Sequence, residues 1–148
     1  MITEEEIRWL LRTMKGIQFF ASFTPETIDS LINKIEKYSY PKGADIIKEG
    51  EAGKAFYIIY KGRVRVWKKK GLFFKTTIAE LKEGDFFGEM SIVRDEPCSA
   101  TVTAIEPVVV FVFFRHIFQQ ILKSNPSLLE EIRYIIEKRR FSQSSSAT

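Results

Sequence analysis

The residues best placed for chemistry run Gly84-Asp85-Phe86-Phe87-Gly88-Glu89-Met90-Ser91-Ile92-Val93. They continue as Arg94-Asp95-Glu96-Pro97-Cys98-Ser99-Ala100-Thr101-Val102. Gly88 lets the backbone turn closely, residues 89–93 suffice for one helical turn, and Pro97 ends the loop before a strand. A glycine ahead of a helix start leaves main-chain NH groups pointing outward, which suits an anion such as a phosphate. Glu89 would repel a bare phosphate. It fits better as an acceptor for a sugar hydroxyl on a ligand that also carries a phosphate. Taken alone, Phe-Gly-Glu is a weak signal, and a plain connection is the commoner meaning of such a turn.

Other reactive side chains are scarce. The single Cys forbids an internal disulfide and a Cys-rich zinc site, which fits a reducing compartment. The single His, His116, excludes a multi-His metal centre and argues against a Ser-His-Asp triad. No metal, no cofactor and no catalytic residues are expected, so the protein reads as non-enzymatic. Cys98 invites a redox role in an anion-attracting loop, but a lone Cys is more often a small buried apolar group.

Charge and hydropathy bound the partners. The 148 residues carry a net charge of +4, too mild to imply nucleic acid. Arg63, Arg65, Lys68, Lys69, Lys70 and Lys75 form a basic hairpin around Trp67, and its commoner meaning is a wet, charged tip rather than a nucleic-acid surface. The longest apolar run, 108–114, is far too short to span a bilayer. The start, Met-Ile-Thr-Glu-Glu-Glu, is acidic where a signal peptide would be basic. A cytoplasmic protein with no membrane partner is the expectation. Hydrophobic residues at 45% suffice for a single core, with 13 Phe prominent in it.

The elements that must position the loop follow from spacing. Ile7, Leu10, Leu11 and Met14 share one helix face, with Thr3 and Glu6 as a capping box and Gly16 as a stop. Phe19, Phe20 and Phe23 form an aromatic link. Thr24-Pro25 opens a second helix with Ile28, Leu31, Ile32 and Ile35 inward. From Tyr38 the pattern changes to short apolar stretches at 45–47, 56–59, 64–67, 77–79 and 101–103, punctuated by glycines. Val64-Arg65-Val66 alternates, so one face is wet. Residues 108–114 do not, so that strand is buried on both faces or faces a helix. Lys48-Glu49-Gly50-Glu51 and Lys82-Glu83-Gly84-Asp85 are near copies, read as repeated corner turns. Ile117, Phe118, Ile121 and Leu122 share a helix face. Asn125-Pro126 ends that helix and starts a last one, with Leu128, Leu129, Ile132, Ile135 and Ile136 apolar and its charges favourably ordered for the helix dipole.

The expected fold is α+β, mainly β: an eight-stranded β-roll or jelly roll flanked by N-terminal and C-terminal helices. One domain is expected over 1–141, with N-terminal helices at 1–36, the roll at 37–114 and C-terminal helices at 115–141. Residues 142–148 read as a frayed serine-rich tail.

Phe87-Gly88-Glu89-Met90-Ser91 followed after a short gap by Ser99-Ala100-Thr101-Val102 resembles the phosphate-binding cassette of the cyclic nucleotide-binding domain family. Tyr40-Pro41-Lys42-Gly43, Lys48-Glu49-Gly50-Glu51, Phe56-Tyr57-Ile58-Ile59 and Lys61-Gly62-Arg63-Val64 match the family's upstream pattern in order and spacing, and Phe19-Phe20 resembles its N-terminal helical motif. The similarity covers about residues 15–141. It implies that the backbone after Gly88 binds a cyclic phosphate and that Glu89 accepts from a ribose 2′-hydroxyl. It also implies an Arg pairing with the phosphate nine positions after that Glu, where this chain has Cys98. Arg94 is the candidate substitute. Ser99 would keep a hydroxyl near phosphate and purine without deciding between cyclic AMP and cyclic GMP.

The resemblance thus implies a non-catalytic regulatory module for signal transduction. It would bind a 3′,5′-cyclic mononucleotide through Phe87, Gly88, Glu89, Met90, Ser91, Cys98, Ser99 and Ala100 and relay it through its C-terminal helices to an effector protein. In family transcription factors the last helix forms a dimer seam, which makes 128–136 a candidate homodimer face. The alternative is a degenerate fold that serves as a protein-interaction scaffold without nucleotide.

Overall fold

A computed structural model describes residues 2–146, and side chains to Lys138. The chain divides into two compact units, residues 1–34 with 116–148, and residues 35–115.

The helical unit begins with α1 (Glu4–Lys15). Thr3 accepts from the Glu6 amide at 3.1 Å while the Glu6 carboxylate accepts from the Thr3 amide at 2.8 Å, the reciprocal box read from the sequence. Gly16 caps the other end. A 3-10 turn (Gln18–Phe20) leads to α2 (Pro25–Ile32), opened by Thr24 accepting from the Thr27 amide. Helix α2 ends at Ile32, so Ile35 lies outside it: Asn33 caps the helix and the Lys34 amide turns back to the Leu31 carbonyl. In the C-terminal half of this unit, Asn125 accepts from the Leu128 amide at the start of a helix running Pro126–Ser146. Leu10, Met14, Leu31, Leu122, Ile132 and Ile136 are buried, and the rings of Phe19, Phe20 and Phe23 surround that of Phe118 at 5.7–6.5 Å. Helical backbone covers residues 142–146, where composition suggested a frayed tail; 147 and 148 lie outside the described residues.

The second unit is a two-sheet roll of eight strands: β1 (Glu36–Tyr40), β2 (Asp45–Ile47), β3 (Ala55–Lys61), β4 (Val64–Lys70), β5 (Phe74–Leu81), β6 (Phe86–Phe87), β7 (Thr101–Ala104) and β8 (Val108–Phe114). The sheets run β1-β8-β3-β6 and β2-β7-β4-β5, with every pairing antiparallel. One helical turn, α3 (Met90–Val93), interrupts the strands, and α4 (Arg115–Lys123) and α5 (Pro126–Ser146) complete the element order. The observed class is thus the α+β roll expected.

The roll's interior follows the strand alternation. Tyr57 and Ile59 on β3, Val102 and Ala104 on β7, and Val110 and Val112 on β8 are buried in one cluster. The opposite set on β3 and β8, Phe56, Ile58, Phe111 and Phe113, is buried as well, with Phe56 and Phe113 rings 5.6 Å apart. That double burial explains why 108–114 reads as a continuous apolar run. The near-copies at 48–51 and 82–85 are indeed the same corner turn: the fourth amide donates to the first carbonyl in both, at 3.1 and 2.9 Å.

Candidate functional site

The two halves of the candidate loop attach to one backing segment, residues 49–57. The first half leaves β6 at Phe87, whose ring stacks on Tyr57 at 4.8 Å and 10°. Gly88 follows with φ +86°, and a Cβ there would lie 2.6 Å from the Ala55 carbonyl oxygen. Both the left-handed backbone and the missing space demand glycine. The chain then enters α3 through Glu89. The buried Ser91 hydroxyl lies 2.9 Å from the Ala55 carbonyl and 2.7 Å from the Gly88 carbonyl, so its proton latches the turn onto β3. Gly53 completes the fit, since a Cβ there would come within 2.8 Å of the Ser91 Cβ.

The second half runs along the corner at 48–51. Pro97 bridges to Ala52, the Cys98 amide donates to the Glu51 carbonyl at 2.8 Å, and the Gly50 amide donates to the Cys98 carbonyl at 2.8 Å. The Glu49 amide donates to the hydroxyl of buried Thr101 at 3.0 Å. The corner turn thus sets where Cys98 stands.

Among the sequence-derived residues, Phe87, Ser91 and Ala100 are buried, Glu89, Met90 and Cys98 are half-buried, and Ser99 is exposed. Glu89 stands at the start of α3, where the Ser91 and Ile92 amides turn back to the Gly88 and Glu89 carbonyls, both at 3.2 Å. Arg94 extends to Glu96 at 3.2 Å, so part of its charge already faces a carboxylate. Burial, then the Glu51 carboxylate, push the Cys98 thiol up, and a backbone hydrogen bond only partly offsets them. The neutral thiol is therefore favoured, opposite to what a reactive thiolate would need. Burial also pushes Tyr57 up to about 12, with Tyr40, Cys98 and Tyr38 adding to the effect.

Sequence reasoning missed the backing role of Gly53 and the Ala55 carbonyl, and the place of Glu51 beside Cys98. The spacing of Gly50 and Gly53 just before β3 was the available signal. Among the described residues no cluster of His, Cys, Asp and Glu could hold a metal, and no helix is long and apolar enough to cross a membrane.

Residues 37–125 match the family model described as cyclic nucleotide-binding domain. The chain is 28% identical over 126 residues to the cyclic AMP receptor protein of Thermus thermophilus, covering 85% of this chain and 58% of that protein. It is 32% identical over 118 residues to a cAMP-dependent protein kinase regulatory subunit of Candida albicans, covering 80% of this chain and 25% of that one. The chain therefore spans well under two thirds of either relative. Among solved structures, a cyclic nucleotide-binding domain from Methylobacillus flagellatus superimposes with a TM-score of 0.77 at 27% identity, covering 97% of this chain and 82% of that one.

Proposed function

The chain belongs to the cyclic nucleotide-binding domain family, and from that membership we propose a non-catalytic regulatory module that binds a 3′,5′-cyclic mononucleotide, weakly, in the cytoplasm. The observation that carries this reading is the Gly88–Ser91 turn, held against β3 by steric necessity and by the Ser91 hydroxyl. A turn so held is preorganised to meet a cyclic phosphate with its main-chain NH groups. Glu89, beside those amides, accepts from the ribose 2′-hydroxyl. Phe87 and Ala100 shape the floor, while Met90 and Ser99 flank the ligand. The ligand is cyclic AMP or cyclic GMP, and its binding biases the C-terminal helices to the extent that it prefers one arrangement of them. Those helices carry the signal to an effector protein or a second copy of the chain.

Weak binding follows from position 98. A neutral thiol is a poor donor and brings no positive charge. Losing one partner of a buried charge pair costs roughly 2–5 kcal/mol, on the order of 30-fold to several thousand-fold in affinity. Arg94 is the cation in the same loop, and its swing to the phosphate has to compete with Glu96.

A second reading, a protein-interaction scaffold without nucleotide, is favoured by that same uncharged Cys98. Calorimetric titration with cyclic AMP and cyclic GMP separates the two, using the natural chain and Cys98→Arg. Glu51 already lies within electrostatic reach of position 98 and would orient the new guanidinium. Binding by both chains, at least 30-fold tighter in the variant, supports the proposal. Binding only by the variant supports the scaffold, and binding by neither overturns the nucleotide site.

A further inference from the structure

The β4–β5 hairpin combines two surfaces that rarely occur together by accident. Strand β4 pairs with β7 only from Val64 to Trp67, and β5 pairs with β4 alone. Beyond Trp67 the cross-strand ladder runs Lys68 to Lys70 against Phe74 to Thr76, with one added tie from the Lys69 amide to the Glu49 carboxylate. At about 3.4 Å per residue it projects on the order of 10 Å past the last β7 pair. Its tip is apolar and bare: Leu72 is 92% exposed, Phe73 88% and Phe74 72%. Solvated apolar side chains in such a cluster mark an interaction site.

The tip is ringed by cations. Residues 64–79 contain five Lys or Arg and no Asp or Glu. Lys70 shares a face with Phe74, and Lys69 lies opposite Lys75 on the other face. Trp67, the aromatic that drew attention in the sequence, is not part of the tip. Its indole NH donates to the Thr103 hydroxyl at 2.9 Å, and Lys75 covers its ring at 4.4 Å. The Glu49 carboxylate near the hairpin accepts from the Lys69 backbone amide.

We propose that this hairpin docks the protein on an anionic phospholipid surface, with Leu72, Phe73 and Phe74 entering the interface and Lys68, Lys69 and Lys70 meeting the headgroups. The chemistry selects lipid. A projecting wedge reaches the 5–10 Å depth at which interfacial elements sit, and basic residues beside Leu and Phe are the composition such elements use. A base-stacking surface would instead present a free Trp67, whose ring is covered by Lys75 and whose indole NH is held by Thr103. Among the described residues no helix is long and apolar enough to cross a membrane, and peripheral docking needs none. The inference is independent of nucleotide binding.

The test is flotation of the full chain with phosphatidylcholine vesicles, with and without phosphatidylserine, at low and high salt. The variants are Leu72→Ser with Phe73→Ser, and separately Lys69→Gln and Lys70→Gln. All lie on the exposed tip and empty no core. Binding is expected to require phosphatidylserine and to weaken with salt. The double tip variant should lose roughly tenfold or more in partitioning, and each lysine variant about fivefold. Absence of flotation with phosphatidylserine vesicles overturns the proposal, as does flotation that the tip variant retains. Tip-dependent binding of random oligonucleotides without vesicle binding reassigns the surface to nucleic acid. Tip-dependent self-association without vesicle binding reassigns it to a second copy. Either result overturns the lipid proposal.

Discussion

The loop at 87–91 and the hairpin tip at 70–74 belong to the same β unit and are built on opposite terms. The loop is over-determined. Gly88 has no room for a Cβ, the Ser91 hydroxyl grips two carbonyls, and Phe87 stacks on Tyr57. The tip is under-determined, with Gly71 in open space and three large apolar side chains in solvent. A segment fixed from several sides can hold main-chain dipoles ready for a small ligand. A segment held mainly by its own ladder can carry apolar groups outward into solvent. The two proposals rest on this contrast, small-molecule recognition at the loop and surface docking at the tip.

The two glycines test that contrast most severely. Gly88 and Gly71 both have positive φ, +86° and +69°. Gly88→Ala adds a carbonyl clash to the backbone strain and should cost about 3 kcal/mol or more, whereas Gly71→Ala should cost only about 1 kcal/mol. Urea midpoints on both variants measure the difference, and equal losses would dissolve the distinction between the two regions.

The loop's support should also show at alkaline pH. Tyr57 is raised to about 12 in the folded chain against an ordinary 10. Its contribution to stability is therefore complete below pH 10 and lost as pH climbs toward 12. The natural chain should lose stability over that window more steeply than Tyr57→Phe, read by urea unfolding at a series of pH values. Parallel curves would mean that Tyr57 titrates normally. A modest effect is that of Ser91→Ala, which removes the latch and leaves the Ala55 carbonyl underused for about 1–2 kcal/mol. Its nucleotide titration should weaken together with its stability. A loss of stability alone would show that the latch does not organise the binding turn.

Much of the fold could be read because its signals are local. Thr3 with Glu6, Thr24 with Pro25, and the turns at 48–51 and 82–85 are decided by atoms within a few residues of each other. Strand β1 was hard to place because Glu36–Tyr40 carries no apolar alternation and is largely exposed; its register against Val108–Val112 of β8 defines it. Two-residue β6 exists only as the partner of Tyr57 and Ile58. At the candidate site, Gly88, Glu89 and Ser91 stood out by type and spacing. Gly53 and Glu51 did not, because their roles depend on contact with residues 38 and 47 positions away in the chain. The hairpin drew attention for its charge and for Trp67, while its exposed side chains are Leu72, Phe73 and Phe74.

Sequence alone determined the caps, the corner turns and the identity of the residue at position 98, since each is a matter of residue type and short-range stereochemistry. Tertiary structure decided which strands pair, how Ser91 meets the Ala55 carbonyl, which carboxylate stands beside Cys98, and that Thr103 and Lys75 hold Trp67 while Leu72, Phe73 and Phe74 stay in water. Those outcomes depend on contacts between distant segments, and residue order specifies them only once the whole roll has closed and excluded solvent from its interior.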